Sequence, residues 1–73
     1  MRKFGNTANK IRAIMSVVDD SGERLKGREI AKRLEIQGYE VKEGDINMFI
    51  YHYMLYKYLT RERVDRVNYY QAI

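Results

Sequence analysis

The sequence predicts an α+β domain in which three helices precede a C-terminal β-hairpin. Apolar residues recur at helical spacing in three successive segments. The final segment is instead rich in β-branched and aromatic residues that alternate with polar ones, as in a strand pair. With 73 residues, the chain has enough apolar side chains for one small core. We therefore expect residues 1–73 to form a single domain.

A basic arm and a first helix open the predicted fold. Residues 1–6 contain no helical pattern and are expected to form the arm. Asn6 or Thr7 can cap a helix over 7–20, since either side chain accepts a hydrogen bond from a free backbone N–H. The apolar stripe of this helix consists of Ala8, Ile11, Ile14, Met15 and Val18.

The second predicted helix covers residues 28–37. Gly27 is the expected N-cap, and Gly38 is expected to end the helix with a positive φ. The buried face consists of Ile30, Ala31 and Leu34.

The third predicted helix covers residues 44–58. At 100° per residue its inward face consists of Ile46, Phe49, Ile50, Tyr53 and Met54. Its outward face consists of Asn47, Met48, Tyr51, His52 and Leu55. This outward face is more apolar than one that meets only water, which indicates a binding partner.

The predicted hairpin covers residues 59–72, with strands over 59–64 and 67–72. Val64 is expected to pair with Val67, and Arg61 with Tyr70. The connection is either a two-residue turn at 65–66 or a four-residue turn, because Asp and Arg adopt a positive φ less readily than Asn and Gly.

Positive charge is concentrated at the two ends of the chain. Residues 1–12 contain four basic and no acidic residues, and residues 57–73 contain four basic and two acidic residues. Residues 13–56 contain six basic and eight acidic residues. If the two ends lie on the same side of the fold, they form a basic surface for an anionic partner.

Several functional classes are disfavoured by composition. The absence of cysteine excludes a thiol nucleophile and cysteine metal sites, and His52 is the only histidine. No glycine-rich phosphate loop is present. We therefore expect neither an enzyme nor a metal, cofactor or small-molecule site. No apolar run is long enough to cross a membrane, and the expected location is the cytoplasm.

Residues 25–73 resemble the winged helix-turn-helix family of DNA-binding domains. GREIAKRL, residues 27–34, is similar to the second helix of that family. The segment from Ile46 to Tyr53, followed by YLTR at residues 58–61, resembles a recognition helix that leads into the first wing strand. VNYY at residues 67–70 resembles the returning strand. The resemblance implies a three-helix winged domain like those of small archaeal and viral transcription regulators.

The resemblance implies sequence-specific binding of double-stranded DNA. A homodimer is expected because the core of a 73-residue monomer is small and the third helix exposes apolar side chains beyond its buried face. The third helix would enter the major groove, with base contacts from Asn47, Met48, Tyr51 and His52. Phosphate contacts would come from Arg2, Lys3, Lys42, Arg61, Arg63 and Arg66. A solvated strand face is the alternative interpretation of the hairpin arginines. Glu43 and Asp45 either repel phosphates or serve as favourable charges at a helix N-terminus.

A protein-interaction module on the same fold is the alternative function. In that case the aromatic face of the third helix packs on another chain through Met48, Tyr51 and Leu55. The segment from Tyr39 to Tyr56 favours this alternative locally, because it contains three acidic residues and one lysine. The basic ends of the chain favour DNA.

Overall fold

The fold is α+β, with three helices and a three-stranded antiparallel sheet. The computed structural model describes the backbone of Arg2–Lys3 and all of residues 5–73. This arrangement is compatible with a winged-helix layout.

The helices are α1 (Thr7–Ser21), α2 (Gly27–Ile36) and α3 (Glu43–Phe49). The bounds of α1 and α2 lie within one residue of the predicted ranges. Asn6 caps α1, and its Oδ1 accepts a hydrogen bond from the Asn9 N–H at 2.9 Å.

The ends of α1 and α2 follow the glycines of the sequence, with one exception. Gly22, at φ 66°, ends α1, and Gly38, at φ 98°, follows α2. Lys26, rather than the predicted Gly27, is the N-cap of α2. Its backbone N–H donates to the Glu29 carboxylate at 3.1 Å, so that the carboxylate closes the first turn.

The third helix changes its winding and ends before the predicted limit of residue 58. After Phe49 it continues as a π-helical turn over Ile50–Met54, and α3 from here on denotes both parts. The Leu55 N–H donates to the Ile50 carbonyl, five residues back, at 2.8 Å. The wider turn keeps Met54 on the buried side with Ile50 and leaves Tyr53 half exposed. The predicted inward position of Tyr53 is therefore wrong.

Within the described part of the chain, five short strands form two sheets. They are β1 (Arg2–Lys3), β2 (Leu25–Lys26), β3 (Tyr39–Glu40), β4 (Leu59–Val64) and β5 (Val67–Ala72). In the larger sheet β5 lies between β2 and β4, and both pairings are antiparallel. In the smaller sheet β1 pairs with β3 in parallel. The sequence pattern predicts neither β2 nor the smaller sheet, and it assigns Arg2–Lys3 to an unstructured arm.

The hairpin of β4 and β5 has the predicted register. Val64 pairs with Val67, and Arg61 pairs with Tyr70. The connection is the two-residue turn, in which Asp65 and Arg66 have φ values of 50° and 68°. Positive φ at both central residues is the conformation of a type I′ turn, which follows the twist of the strands.

The core lies between the three helices and the inner face of the larger sheet. The three residues predicted for α2 are all buried. The buried set is Ile14, Val17, Val18, Leu25, Ile30, Ala31, Leu34, Ile46, Ile50, Met54, Leu59 and Tyr70. Only one end of the hairpin contributes to this set, so the turn end projects away from the core.

Candidate nucleic-acid interface

A cleft of about 280 Å³ lies where the start of α2, the start of α3 and the hairpin turn meet. Its lining residues are Lys26, Gly27, Arg28, Glu43, Asn47, Arg66, Val67 and Asn68. Three of these side chains are cationic and one is a carboxylate, which gives the cleft a formal excess of positive charge. The cations come from three separate elements of the chain, and the pairing of β2 with β5 brings them together.

Asn47 connects the elements that form the cleft. The Tyr70 hydroxyl donates a hydrogen bond to Asn47 Oδ1 at 3.0 Å. The Asn47 side chain also packs against Gly27, where an added Cβ would lie 2.8 Å from Asn47 Cγ and collide with Oδ1. Gly27 therefore allows α2 to approach α3 closely.

Because of these contacts with Gly27 and Tyr70, Asn47 does not have the outward position predicted from sequence. Its side chain is partly buried between Gly27 and Tyr70, and its amide oxygen is already engaged. Asn47 is thus a link between α2, α3 and β5, and its oxygen is not presented to a ligand in front of α3.

Burial raises the pKa of Tyr70, and the Arg61 cation on the paired strand offsets part of that increase. The hydroxyl consequently remains a hydrogen-bond donor at neutral pH. Asn68, two residues before Tyr70, has its Oδ1 buried with no hydrogen-bond partner among the residues described. Because Asn68 lines the cleft, its amide belongs to the same polar wall as Asn47.

The exposed face of α3 contains most of the residues predicted to contact bases. Met48 is 64% exposed and Tyr51 is 61% exposed, and His52 is also exposed. The rings of Tyr51 and His52 meet edge to face, with centroids 5.2 Å apart. Leu55, predicted to lie on this face, is instead partly buried against the core because the π turn changes the phase of the helix.

The predicted phosphate-contacting residues are distributed over several elements. Arg61 and Arg63 are exposed on β4, and Arg66 is exposed in the hairpin turn. Lys42 lies at the N-cap of α3 and is exposed there. Of these residues, Arg66 lines the cleft.

The predicted contributions of Arg2 and Lys3 concern side chains that lie outside the described residues. Their backbone is nevertheless placed, since Arg2 pairs with Tyr39 and Lys3 pairs with Glu40. This pairing directs the basic segment along the chain that leads into α3.

The sequence pattern does not identify Lys26 and Arg28 as members of this surface. The sequence pattern assigns Arg28 to a mixed, solvated face of the second helix, and it gives Lys26 no role. Both line the cleft with Arg66, which is distant from them in sequence. No local signal identifies them, because their position depends on the two-residue strand β2.

The outer face of the sheet carries a second cationic cluster, which shares Lys26 with the cleft. Arg24 forms an ion pair with Glu62 at 2.7 Å, and its guanidinium lies 4.7 Å from the centroid of the Tyr69 ring. The Lys26 ammonium lies 5.7 Å from the same ring. This arrangement fixes the base of β2 on the hairpin, next to the cleft.

A second groove, of about 550 Å³, follows the opposite side of α3. Its lining residues are Lys10, Glu40, Val41, Asp45, Met48, Phe49, His52 and Tyr53. Phe49 stacks on Tyr53 with centroids 4.9 Å apart, and the Lys10 ammonium lies 5.3 Å from the centroid of the Phe49 ring. This groove is more apolar and less basic than the cleft.

Within the described part of the chain, His, Asp and Glu residues do not cluster in threes as a metal site requires. None of the described helices has the length and apolar character needed to cross a bilayer. Comparisons of the chain with protein-family models, curated proteins and solved structures gave no match.

Proposed function

We propose that this chain is a winged-helix domain that binds double-stranded DNA. In this proposal α3 enters the major groove, and the hairpin turn lies against the phosphate backbone. Sequence-specific binding of this kind would serve transcription regulation.

The observation that carries the proposal is the grouping of Lys26, Arg28 and Arg66 around the start of α3. A duplex presents phosphates on both sides of each groove, so a helix in the groove needs cations beside it. The cleft provides such cations between α3 and the hairpin. The backbone of the basic segment at Arg2–Lys3 approaches α3 from the other side, through its pairing with Tyr39–Glu40.

The roles of individual residues differ from those expected from sequence. Met48, Tyr51 and His52 are exposed on α3 and remain the proposed base contacts. For Asn47 we propose a structural role in place of a base contact, because its amide oxygen accepts the hydrogen bond from Tyr70. The phosphate contacts expected from sequence remain proposed ones, and Lys26 and Arg28 join them. The retained set is Arg2, Lys3, Lys42, Arg61, Arg63 and Arg66.

The test is an anisotropy titration of the protein with a random-sequence duplex at two salt concentrations. Neutralising four to six phosphates gives a log–log salt slope of about −4 to −5. Arg66→Gln should reduce this slope by about 1. Arg24→Gln is the matched control, because Arg24 is paired with Glu62 on the outer face of the sheet. Absence of binding to any duplex at low salt and micromolar protein would refute the proposal.

A protein-interaction function is favoured by a different observation. Tyr53, Tyr56 and Tyr58 are 50%, 68% and 44% exposed, and they lie at the opposite end of the third helix from the cleft. Solvent-exposed tyrosines are typical of protein interfaces. They offer a surface for the proposed homodimer that leaves the cleft free for DNA.

Light scattering tests this second function. A homodimer should be detected in the absence of DNA, and Tyr56→Ser with Tyr58→Ser should convert it to a monomer. Tyr51→Ser, on the exposed face of α3, is the control. A wild-type monomer at high concentration, with and without DNA, would rule out the dimer.

A further inference from the structure

The exposed face of α3 is free of charged side chains along its centre. Gly44 and Met48 are four residues apart, and Tyr51 follows three residues later, so the three share one side of the helix. Met48 and Tyr51 are each more than three-fifths exposed. At Gly44 an added Cβ would meet no atom within 4 Å. The centre of this face thus offers a backbone surface, a thioether and an aromatic ring.

The groups that could read bases by paired hydrogen bonds are largely absent from this face. The Asn47 oxygen is held by Tyr70 at the edge of the cleft. The carboxylates of Glu43 and Asp45 flank Gly44 in the first turn of α3. No arginine or lysine lies between Glu43 and Met54, so this helix lacks the side chains that contact guanine bidentately.

Of the four bases, thymine depends least on side chains that form paired hydrogen bonds for its recognition. In the major groove guanine, adenine and cytosine present hydrogen-bond donors and acceptors, whereas thymine also presents an apolar 5-methyl group. A thioether and an aromatic ring can gain contact area against that methyl group without a hydrogen bond. A glycine at the start of the helix lets its backbone come closer to the base edges.

We propose that α3 recognises thymine 5-methyl groups in the major groove. Met48 makes the principal contact, Tyr51 contacts a neighbouring position, and Gly44 permits the approach. This inference rests on the proposed function of DNA binding. Duplex DNA is favoured over a protein partner on this face because Lys26, Arg28 and Arg66 line the cleft on one side of it. On its other side Met48 lines the second groove, which Lys10, Glu40 and Asp45 also line. The exposed tyrosines lie at the far end of the helix.

The experiment begins with selection of a preferred duplex from a random library. Each thymine of that duplex is then replaced by deoxyuridine, which removes the 5-methyl group and leaves base pairing unchanged. We expect about a fourfold loss of affinity at each contacted position, which corresponds to the burial of one methyl group. At the position that Met48 contacts, the Met48→Ala variant should bind the thymine and deoxyuridine duplexes with equal affinity.

Two further variants separate this contact from other effects. Gly44→Leu should weaken binding to the selected duplex without lowering the thermal unfolding midpoint, because the added side chain has open space in the free protein. Arg66→Gln should weaken binding to thymine and deoxyuridine duplexes by the same factor. Circular dichroism establishes that each variant is folded.

The outcomes distinguish the two proposals. If the selected duplex binds and no deoxyuridine substitution lowers its affinity, methyl recognition is refuted while DNA binding stands. If no duplex is bound at low salt, the proposed function fails and this inference fails with it. If Met48→Ala retains the full preference for thymine, another residue reads the methyl group and the role of Met48 is refuted.

Discussion

The Tyr70 hydroxyl donates a hydrogen bond to Asn47 Oδ1 across 3.0 Å and so connects the middle of the hairpin to the third helix. These two residues lie 23 positions apart in sequence. Because Asn47 also packs on Gly27, the same contact joins the start of α2. The relative position of the hairpin, α2 and α3, and with it the shape of the cleft, depends on this small group.

Tyr70→Phe should lower the free energy of unfolding by about 1 kcal/mol, since it removes the donor and leaves the partly buried Asn47 oxygen without it. Urea denaturation followed by circular dichroism measures this change. Tyr51→Phe is the control, because that side chain is exposed and its hydroxyl is accessible to water. Equal losses of unfolding free energy in the two variants would show that the hydrogen bond between Tyr70 and Asn47 does not stabilise the domain.

The raised pKa of Tyr70 predicts that the stability of the domain depends on pH. In the unfolded chain Tyr70 ionises near the ordinary pKa of 10.0, whereas burial raises the pKa in the folded protein. The folded state therefore favours the neutral hydroxyl. The contribution of the neutral Tyr70 hydroxyl to the free energy of unfolding is complete below about pH 10. It is lost as the pH rises through the folded-state pKa. The difference in unfolding free energy between the wild type and Tyr70→Phe should narrow above about pH 10. A difference that stays constant in alkaline solution would contradict this assignment.

The glycines of α2 and α3 should respond oppositely to alanine. Gly27→Ala places a Cβ against the Asn47 side chain and should cost about 1–3 kcal/mol of unfolding free energy. Gly44→Ala meets no atom within 4 Å and should stabilise by up to about 1 kcal/mol, because alanine is the better helix former. Thermal or urea unfolding of both variants provides the comparison. Stabilisation by Gly27→Ala would show that α2 and α3 have room to separate.

The hairpin turn should be more stable with other residues than with its own. Asp65 and Arg66 both have positive φ, which costs a residue with a side chain roughly 1 kcal/mol. The double variant Asp65→Asn with Arg66→Gly places the preferred type I′ residues in the turn. It should therefore raise the free energy of unfolding by about 0.5–1 kcal/mol, as measured by urea denaturation.

The single variant Arg66→Gly removes the Arg66 charge, retains Asp65 and should weaken DNA binding. Arg66→Lys is the informative partner variant, since it retains the charge and the turn strain. Increased stability together with unchanged DNA affinity would show that Arg66 makes no phosphate contact.

The hairpin and the buried face of α2 were predictable from sequence because each depends on a local repeat. Alternation with a period of two determines which residues of β4 and β5 pair, and helical spacing identifies Ile30, Ala31 and Leu34. The sequence leaves the choice of turn open, since only the fold as a whole compensates the positive φ values at Asp65 and Arg66.

The candidate site was less predictable because its contacts join distant parts of the chain. The π turn at Ile50–Met54 has the same apolar composition as an α-helix, so the pattern places Tyr53 inward and Leu55 outward. Asn47 lies near the boundary of the buried face, and its direction is decided by Gly27 and Tyr70. Lys26 reaches the cleft through β2, a strand too short to show any periodicity.

The two ends of the hairpin differ in how closely they pack on the core, and we expect their backbone dynamics to differ accordingly. At one end Leu59 and Tyr70 are buried and β2 pairs with β5 at Tyr69 and Tyr70. Toward the turn, the residues of β4 beyond Leu59 are all exposed. Backbone amides near Arg63 and Asn68 should thus exchange with solvent hydrogen through local opening, while those near Tyr70 exchange only when the domain unfolds. The turn end can bend to the width of a groove without any rearrangement of the core.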